Sequence, residues 1–270
     1  MASVSHTAAV AAHGPAGLLS TRSARIKGIR LLVILGVVLA WEFAGRFLVD
    51  PAFLAPPTAV AQSLFGRIFA DPAIIRAVWM ALVEVTIAYA LAVVFGIAVG
   101  MMVGMTERGR KAFFPIIVMI WVIPNVTLLP LFMVVFGFGP VGKIIYAFSG
   151  GIFPIMVNVI AGMRNVNQLY LRGATSMGAS RVDVLRHVVF PNMVPSVFTG
   201  LRLGMIVTML GVIASELYVS ANGIGRFTRL FSEVYDPAPL FALILTLAAI
   251  SITLNEIVRT AERRFTRWKR

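Results

Sequence analysis

Six runs of apolar residues, at about 29–49, 78–105, 113–136, 144–163, 193–217 and 239–258, leave this 270-residue chain few choices of fold. A helix rises about 1.5 Å per residue, so about 20 apolar residues cross the hydrocarbon of a bilayer. Each run meets that length. In lipid no water is at hand for backbone amides and carbonyls, so such spans must satisfy their own hydrogen bonds as helices. Composition agrees, with 59% of residues apolar and 13% charged. Soluble domains run at roughly 45–50% and 25%. The sequence therefore predicts an all-α integral membrane protein with about six transmembrane helices.

The formal net charge of +13 would point to nucleic acid in a soluble chain. Here the basic residues follow the gaps between spans. With the N-terminus inside, seventeen Lys and Arg fall in the inner pieces, between Arg22 and Arg30, Arg108 and Lys111, Arg164 and Arg186, and Arg259 and Arg270. Five fall outside, at Arg67, Arg76, Lys143, Arg226 and Arg229. Cytoplasmic loops collect Lys and Arg. Both termini are therefore placed in the cytoplasm, and no nucleic-acid partner is expected. The chain divides into a disordered N-terminal tail (1–28), a transmembrane domain (29–258) and a basic C-terminal tail (259–270). The first basic residue is Arg22 and the apolar run follows it, so the first span reads as an uncleaved anchor. In the last tail Phe265, Trp268 and the arginines suit the lipid headgroup region.

Several chemistries lack their residues. The sequence has no cysteine, and its histidines, His6, His13 and His187, lie in a polar tail and a loop. No metal cage is expected. The string GFGPVGKI, Gly137 to Ile144, approaches a phosphate-binding loop, but Ile144 stands where Ser or Thr should hold magnesium. It follows a span rather than a strand and faces outside. It reads as a Gly/Pro turn, and the chain is not expected to be an enzyme. Glu42, Glu84, Arg202, Glu216 and Glu256 lie in or near spans, where ionisable groups default to function. No two sit at a helical spacing that would pair them, so neither a metal site nor a proton relay is expected.

Glycine and proline mark the spans instead. Gly96, Gly100 and Gly104 recur every four residues and put a smooth face on the second span, fit for close helix packing. In WVIPNVTLLP, Pro124 and Pro130 each remove a backbone hydrogen bond and kink the third span. Asn125 and Thr127 add polar groups there. Such a stretch either lines a transport pathway, with Arg202 and Glu216 as further candidates, or is a bent packing helix.

The inner loop at about 164–192 is longer than a connector needs. Leu169 to Met177 can form a short helix that Gly178 breaks. Ser180 then starts a second, with Asp183 three residues on in a capping-box arrangement. Val182, Leu185 and Val189 give it an apolar face, and Pro191 is expected to end it. A helix pair with a free apolar stripe wants a partner.

This loop resembles the EAA motif of ABC importer permeases, E-A-A-x3-G-x9-I-x-L-P. Arg172, Gly173 and Ala174 occupy the first three positions, Gly178 the glycine, and Val188, Phe190 and Pro191 the closing three. Further stretches are similar to permeases of the nitrate, sulfonate and taurine subgroup: IPNVTLLPLFMVVFGFG, GLRLGMIVTMLGVIASEL and NGIGRF. The resemblance implies a permease of the bacterial inner membrane that pairs with a second copy of itself. It implies a cytoplasmic ATPase subunit, carrying ATP and magnesium, docked on a coupling loop through Arg172, Gly173, Ala174, Gly178, Ala179, Ser180, Asp183, Leu185, Val188 and Pro191. A solute-binding protein would deliver substrate from outside, a small anion such as a sulfonate, taurine or nitrate. A carrier driven by an ion gradient, which would usually show clustered midplane charges, and a membrane scaffold that transports nothing are the alternatives.

Overall fold

A computed structural model describes residues 16–219 and 223–265. Among these every regular element is helical: α1 (Ala16–Phe43), α2 (Pro57–Ser63), α3 (Pro72–Gly104), α4 (Glu107–Val122), α5 (Asn125–Phe136), α6 (Pro140–Arg164), α7 (Gln168–Ser176), α8 (Arg181–Asp183), α9 (Phe190–Val219), α10 (Ile224–Glu233) and α11 (Pro237–Phe265). Wider π-type turns extend α1 to Leu48 and α2 to Ile68, and a third, Val184–Val189, joins α8 to α9. Five helices are long and apolar enough to cross a membrane, six if α4 and α5 count as one bent span. The six apolar runs are thus recovered. One expectation is corrected at the N-terminus, where α1 already begins at Ala16, inside the stretch read as disordered. That stretch carries Ala, Leu and Arg, all good helix formers. Residues 1–15 of the expected tail lie outside the described residues, as do 266–270, and α11 carries the basic tail as helix to Phe265.

Local chemistry fixes the helix starts. The Asp71 side chain accepts from the Ala73 amide at 2.8 Å, with Pro72 in the first turn of α3. The Thr106 hydroxyl accepts from the Gly109 amide at 3.0 Å at the start of α4. Each cap satisfies an amide that has no partner within its helix. Pro57, Pro140 and Pro237 open α2, α6 and α11, where a missing N–H is harmless.

The third span does not merely kink. α4 and α5 meet at 88° across Ile123 and Pro124. Proline pushes the residue before it out of the helical region, and Ile123 is extended, with ψ 123°. α5 then continues through Pro130 without a break. The break the sequence assigned to two prolines belongs to the first alone.

α3, α6 and α9 form the centre. The glycine face of α3 packs on α6 as its spacing implies. A Cβ added at Gly96 would lie 2.9 Å from the Ile155 Cβ, one at Gly100 2.8 Å from the Val159 Cβ, and one at Gly104 2.6 Å from the Met163 Sδ. α9 answers on the neighbouring face of α6. There an added Cβ at Gly200, Gly204 or Gly211 would press Asn158, Ile155 or Ala147 at 2.6–2.9 Å. α11 closes the bundle through Ala242 and Leu243, both buried. α1 stands apart and leaves Leu32, Val33, Val37 and Leu39 uncovered.

Gly100→Leu is therefore expected to lower the melting midpoint in detergent, because overpacking a tight contact costs about 1–3 kcal/mol or more. Gly36→Ala, where a Cβ would meet nothing within 4 Å, is expected to leave the midpoint unchanged. Equal effects of the two substitutions would argue against the glycine contact.

Candidate functional site

Three features stand out: a structured loop, a cleft at the broken span, and a buried cluster of charges. The loop runs from α6 through α7 and α8 into α9. α7 ends in a Schellman turn, in which Gly178 takes the left-handed φ of +81°. The Gly178 amide donates to the Thr175 carbonyl at 3.0 Å and the Ala179 amide to the Ala174 carbonyl at 3.1 Å. Ser180 then caps α8. The Asp183 amide donates to the Ser180 hydroxyl at 3.2 Å, and the Ser180 amide donates back to the Asp183 carboxylate at 3.2 Å. This is the capping box the sequence spelled out.

Ala174 is buried, whereas Arg172 and Gly173 are exposed, with nothing near a Cβ on Gly173. Two expectations about the loop are corrected. Pro191 does not end the second helix, which runs on through the Val184–Val189 π-turn and Pro191 to Val219. Proline removes the amide that would donate to the carbonyl four residues back and crowds that carbonyl, and the wide turn just before Pro191 is where the local hydrogen-bond pattern changes. The free apolar surface also differs from the expected stripe. Leu185, Val188 and Val189 are half-buried, with Val189 packed against the α3–α6 core, so Leu169, Tyr170, Met177, Val182 and Phe190 are the large apolar side chains that the loop leaves uncovered.

The 88° break opens a cleft of about 330 Å³ between α4, α5, α6 and α9. Pro124 and Asn125 line it, with Trp121, Phe132, Phe153 and Val207 as apolar walls. The Ser149 hydroxyl donates to the Tyr146 carbonyl at 2.7 Å and lies 3.5 Å from the Asn125 carbonyl oxygen. Gly150 is bare so that Asn125 can fit, since a Cβ there would sit 2.6 Å from the Asn125 Nδ2. Thr127 donates to the Pro124 carbonyl at 2.7 Å and is exposed, as is Pro130. Arg202 is not part of the cleft lining, and its guanidinium pairs with Glu262 of α11 at 3.2 Å. Glu216 is not part of it either.

Glu216 belongs to the third feature, which the sequence reading missed. Lys143 Nζ lies 2.6 Å from Glu84 Oε1 and 3.2 Å from Glu216 Oε1. Glu84, Lys143 and Glu216 are 4%, 3% and 2% exposed. The three come from α3, α6 and α9, so no spacing within one helix could have shown them. The expectation of unclustered charges is corrected, and so is the assignment of Lys143 to an outer loop. One signal was present: Pro140 marks the first turn of α6, which puts Lys143 inside a helix. The Gly/Pro turn itself is as expected, with Gly137 at φ +87°. The lysine of the phosphate-loop-like string is thus committed to two carboxylates. Glycines let the cluster close tightly. The Gly225 amide donates to Glu216 Oε2 at 3.3 Å, and a Cβ on Gly223 would lie 2.7 Å from Glu216 Oε1.

A buried charge that loses its partner destabilises by about 3–5 kcal/mol. Lys143→Met alone leaves two buried carboxylates facing each other, so it is expected to cut the yield of folded protein and lower its melting midpoint sharply. A wild-type melting curve for this variant would mean the cluster is wet rather than dry.

The profile of the family described as binding-protein-dependent transport system inner membrane component matches residues 92–267. The chain is 32% identical over 232 residues to the taurine transport system permease protein TauC of Escherichia coli (strain K12), covering 84% of each. It is 25% identical over 239 residues to the formylaminopyrimidine transport permease protein ThiX of Halalkalibacterium halodurans, covering 88% of this chain and 95% of that one. Among solved structures it is similar to a chain of the MetNI methionine ABC transporter in inward facing conformations. The TM-score is 0.63 at 19% identity, over 72% of this chain and 97% of that one.

Proposed function

This chain belongs to the family of binding-protein-dependent transport system inner membrane components, and we propose that it passes a small anion inward along the cleft at Pro124, driven by an ATPase docked on the 164–192 loop. It is a permease subunit of an ABC importer and a multi-pass protein of the inner membrane. ATP hydrolysis resides on a separate subunit, and permeases of this family work with an ATPase and a solute-binding protein.

The observation that carries the docking reading is the loop. It is built by a Schellman turn and a capping box, yet Leu169, Tyr170, Met177 and Val182 are left exposed. A structured apolar surface of this kind fits a protein partner. The partner is the ATPase subunit with its ATP and magnesium, and Arg172, Gly173, Gly178 and Ser180 lie at or beside its seat. Both termini lie on the cytoplasmic side. Phe265 stacks on Phe198, and Arg202 pairs with Glu262, which brings the end of α11 beside the part of α9 nearest the loop. With Lys143 buried, the outer pieces hold still fewer basic residues than the sequence count assumed, which supports this orientation. The chain works as a homodimer, and the cleft beside α5 completes its walls against the second copy.

A substrate related to taurine is supported by the relative named above. The first turn of α5 opens at the cleft, and its unmatched amides give that end a partial positive charge. Asn125 adds an amide donor. Arg202 is paired elsewhere and takes no part in this path. The buried charge cluster would suit a gradient-driven carrier, but family and loop together favour ATP.

Expression in a native host, mild solubilisation and mass spectrometry test the partner. An ATPase subunit in near-equal amount is expected, and elution of the chain alone would overturn the reading. Gly178→Val forces a β-branched residue into the left-handed region, at a strain of about 1–2 kcal/mol. The variant is expected to keep its folded spans, while uptake into proteoliposomes falls relative to ATP hydrolysis. Asn125→Ala is expected to slow uptake about tenfold, the worth of one hydrogen bond to a charged group. Unchanged uptake would remove the cleft from the path.

A further inference from the structure

α6 leads the chain into the docking loop, and α8 and α9 lead it out. The two helices therefore form the arms of a U whose base is the loop. Lys143 sits near the far tip of one arm and Glu216 near the far tip of the other. From Lys143 to Arg164 the helix spans about 30 Å, at 1.5 Å per residue. The outgoing arm is helical without interruption from Arg181 to Val219. A shift at the base thus travels along two stiff rods to two tips that touch through an ion pair. Glu84 ties the same ammonium to α3.

We infer that Lys143 is a positioning residue for transport: with Glu84 and Glu216 it forms a releasable ionic latch that holds the tips of α6 and α9 together against the body of α3 and opens when they part to admit solute. The inference rests on the permease reading above.

Chemistry explains why this contact is ionic. Parting two apolar tips would expose apolar surface to water. Parting buried ions lets each recover its hydration, which offsets most of the attraction lost. An ionic contact therefore has two states of comparable free energy, one closed and dry, the other open and wet. The cluster is also biased toward release. It holds two carboxylates for one ammonium, and Glu84 Oε2 is buried with no hydrogen-bond partner. That oxygen gains most from the arrival of water. Glu216 connects the latch to the outer surface, because its second oxygen holds the Gly225 amide at the start of α10. Pressure on α10 from outside would pull on the carboxylate that Lys143 grips. The latch thus lies between the outer helix and the two arms that border the docking loop.

The sequence has no cysteine, so a single introduced thiol reports cleanly. Ser215 is buried beside Glu216 at 0% exposure, and Ser215→Cys changes it little in size. The assembled complex in proteoliposomes is treated with a membrane-impermeant maleimide, at rest and then trapped with vanadate in the presence of ATP and binding protein. Labelling is expected to rise about tenfold on trapping, as a dry thiol becomes a wet thiolate. Equally slow labelling in both states would overturn the latch.

The second arm uses the neutral triple variant Glu84→Gln, Lys143→Met, Glu216→Gln. Replacing a whole buried ion cluster by neutral groups of similar volume is tolerated far better than removing one member. Assembly with the ATPase and the melting midpoint are expected to stay as in the wild type. ATP hydrolysis is expected to lose its dependence on the binding protein, and uptake to fall. Wild-type stimulation and uptake in this variant would overturn the latch and leave the permease reading standing. If the triple variant does not assemble, the thiol labelling alone decides. An unmodified chain that binds no ATPase and moves no solute would instead strike the permease reading.

Discussion

The close approach of backbones along α3, α6 and α9 is what the rest of this structure depends on. Between helices in lipid the hydrophobic effect contributes little, since the acyl chains are as apolar as leucine, and short-range packing must hold them. Gly96, Gly100 and Gly104 of α3, and Gly200, Gly204 and Gly211 of α9, remove the side chains that would keep these helices from neighbouring faces of α6. Ile155 serves both contacts, lying against Gly96 of α3 and Gly204 of α9. A layer this tight has little room to deform gradually. Its helices can transmit displacement as rods between the 164–192 loop and the opposite end of the bundle.

That packing also makes the buried charges affordable. An isolated carboxylate in a dry membrane interior is costly. Glu84, Lys143 and Glu216 reach one another because three helices converge, and Gly223 and Gly225 leave space for the chain to fold close around Glu216. The lysine that completes a phosphate-loop-like string is, in three dimensions, a cation held between two acids. The string has a structural meaning, a turn at Gly137 followed by the first turn of α6.

The two ends of the bundle differ in chemistry. At one, a loop held by backbone hydrogen bonds presents uncovered Leu169, Tyr170, Met177 and Val182. At the other, the ion cluster joins the tips of the helices that border that loop. Between them the Pro124 break turns α5 by 88° away from α4 and opens the cleft that holds Asn125. A continuous helix would have matched its backbone donors internally. The break is thus what opens the cleft beside α5.

The apolar runs, the capping residues, the glycine spacing and the loop motif lay in contiguous residues, so the sequence alone determined the helical membrane fold, the α3 packing face, the Gly178 turn and the Ser180 cap. Each depends on groups a few positions apart, where helical geometry makes spacing readable. The tertiary structure decided what depends on groups far apart in the chain. It carried the helix on past Pro191, moved the exposed apolar surface of the loop, paired Arg202 with Glu262, and brought Glu84, Lys143 and Glu216 to one point. A charge in a span declares by its desolvation that it needs a partner, but only the packing of three separate helices decides which partner it finds.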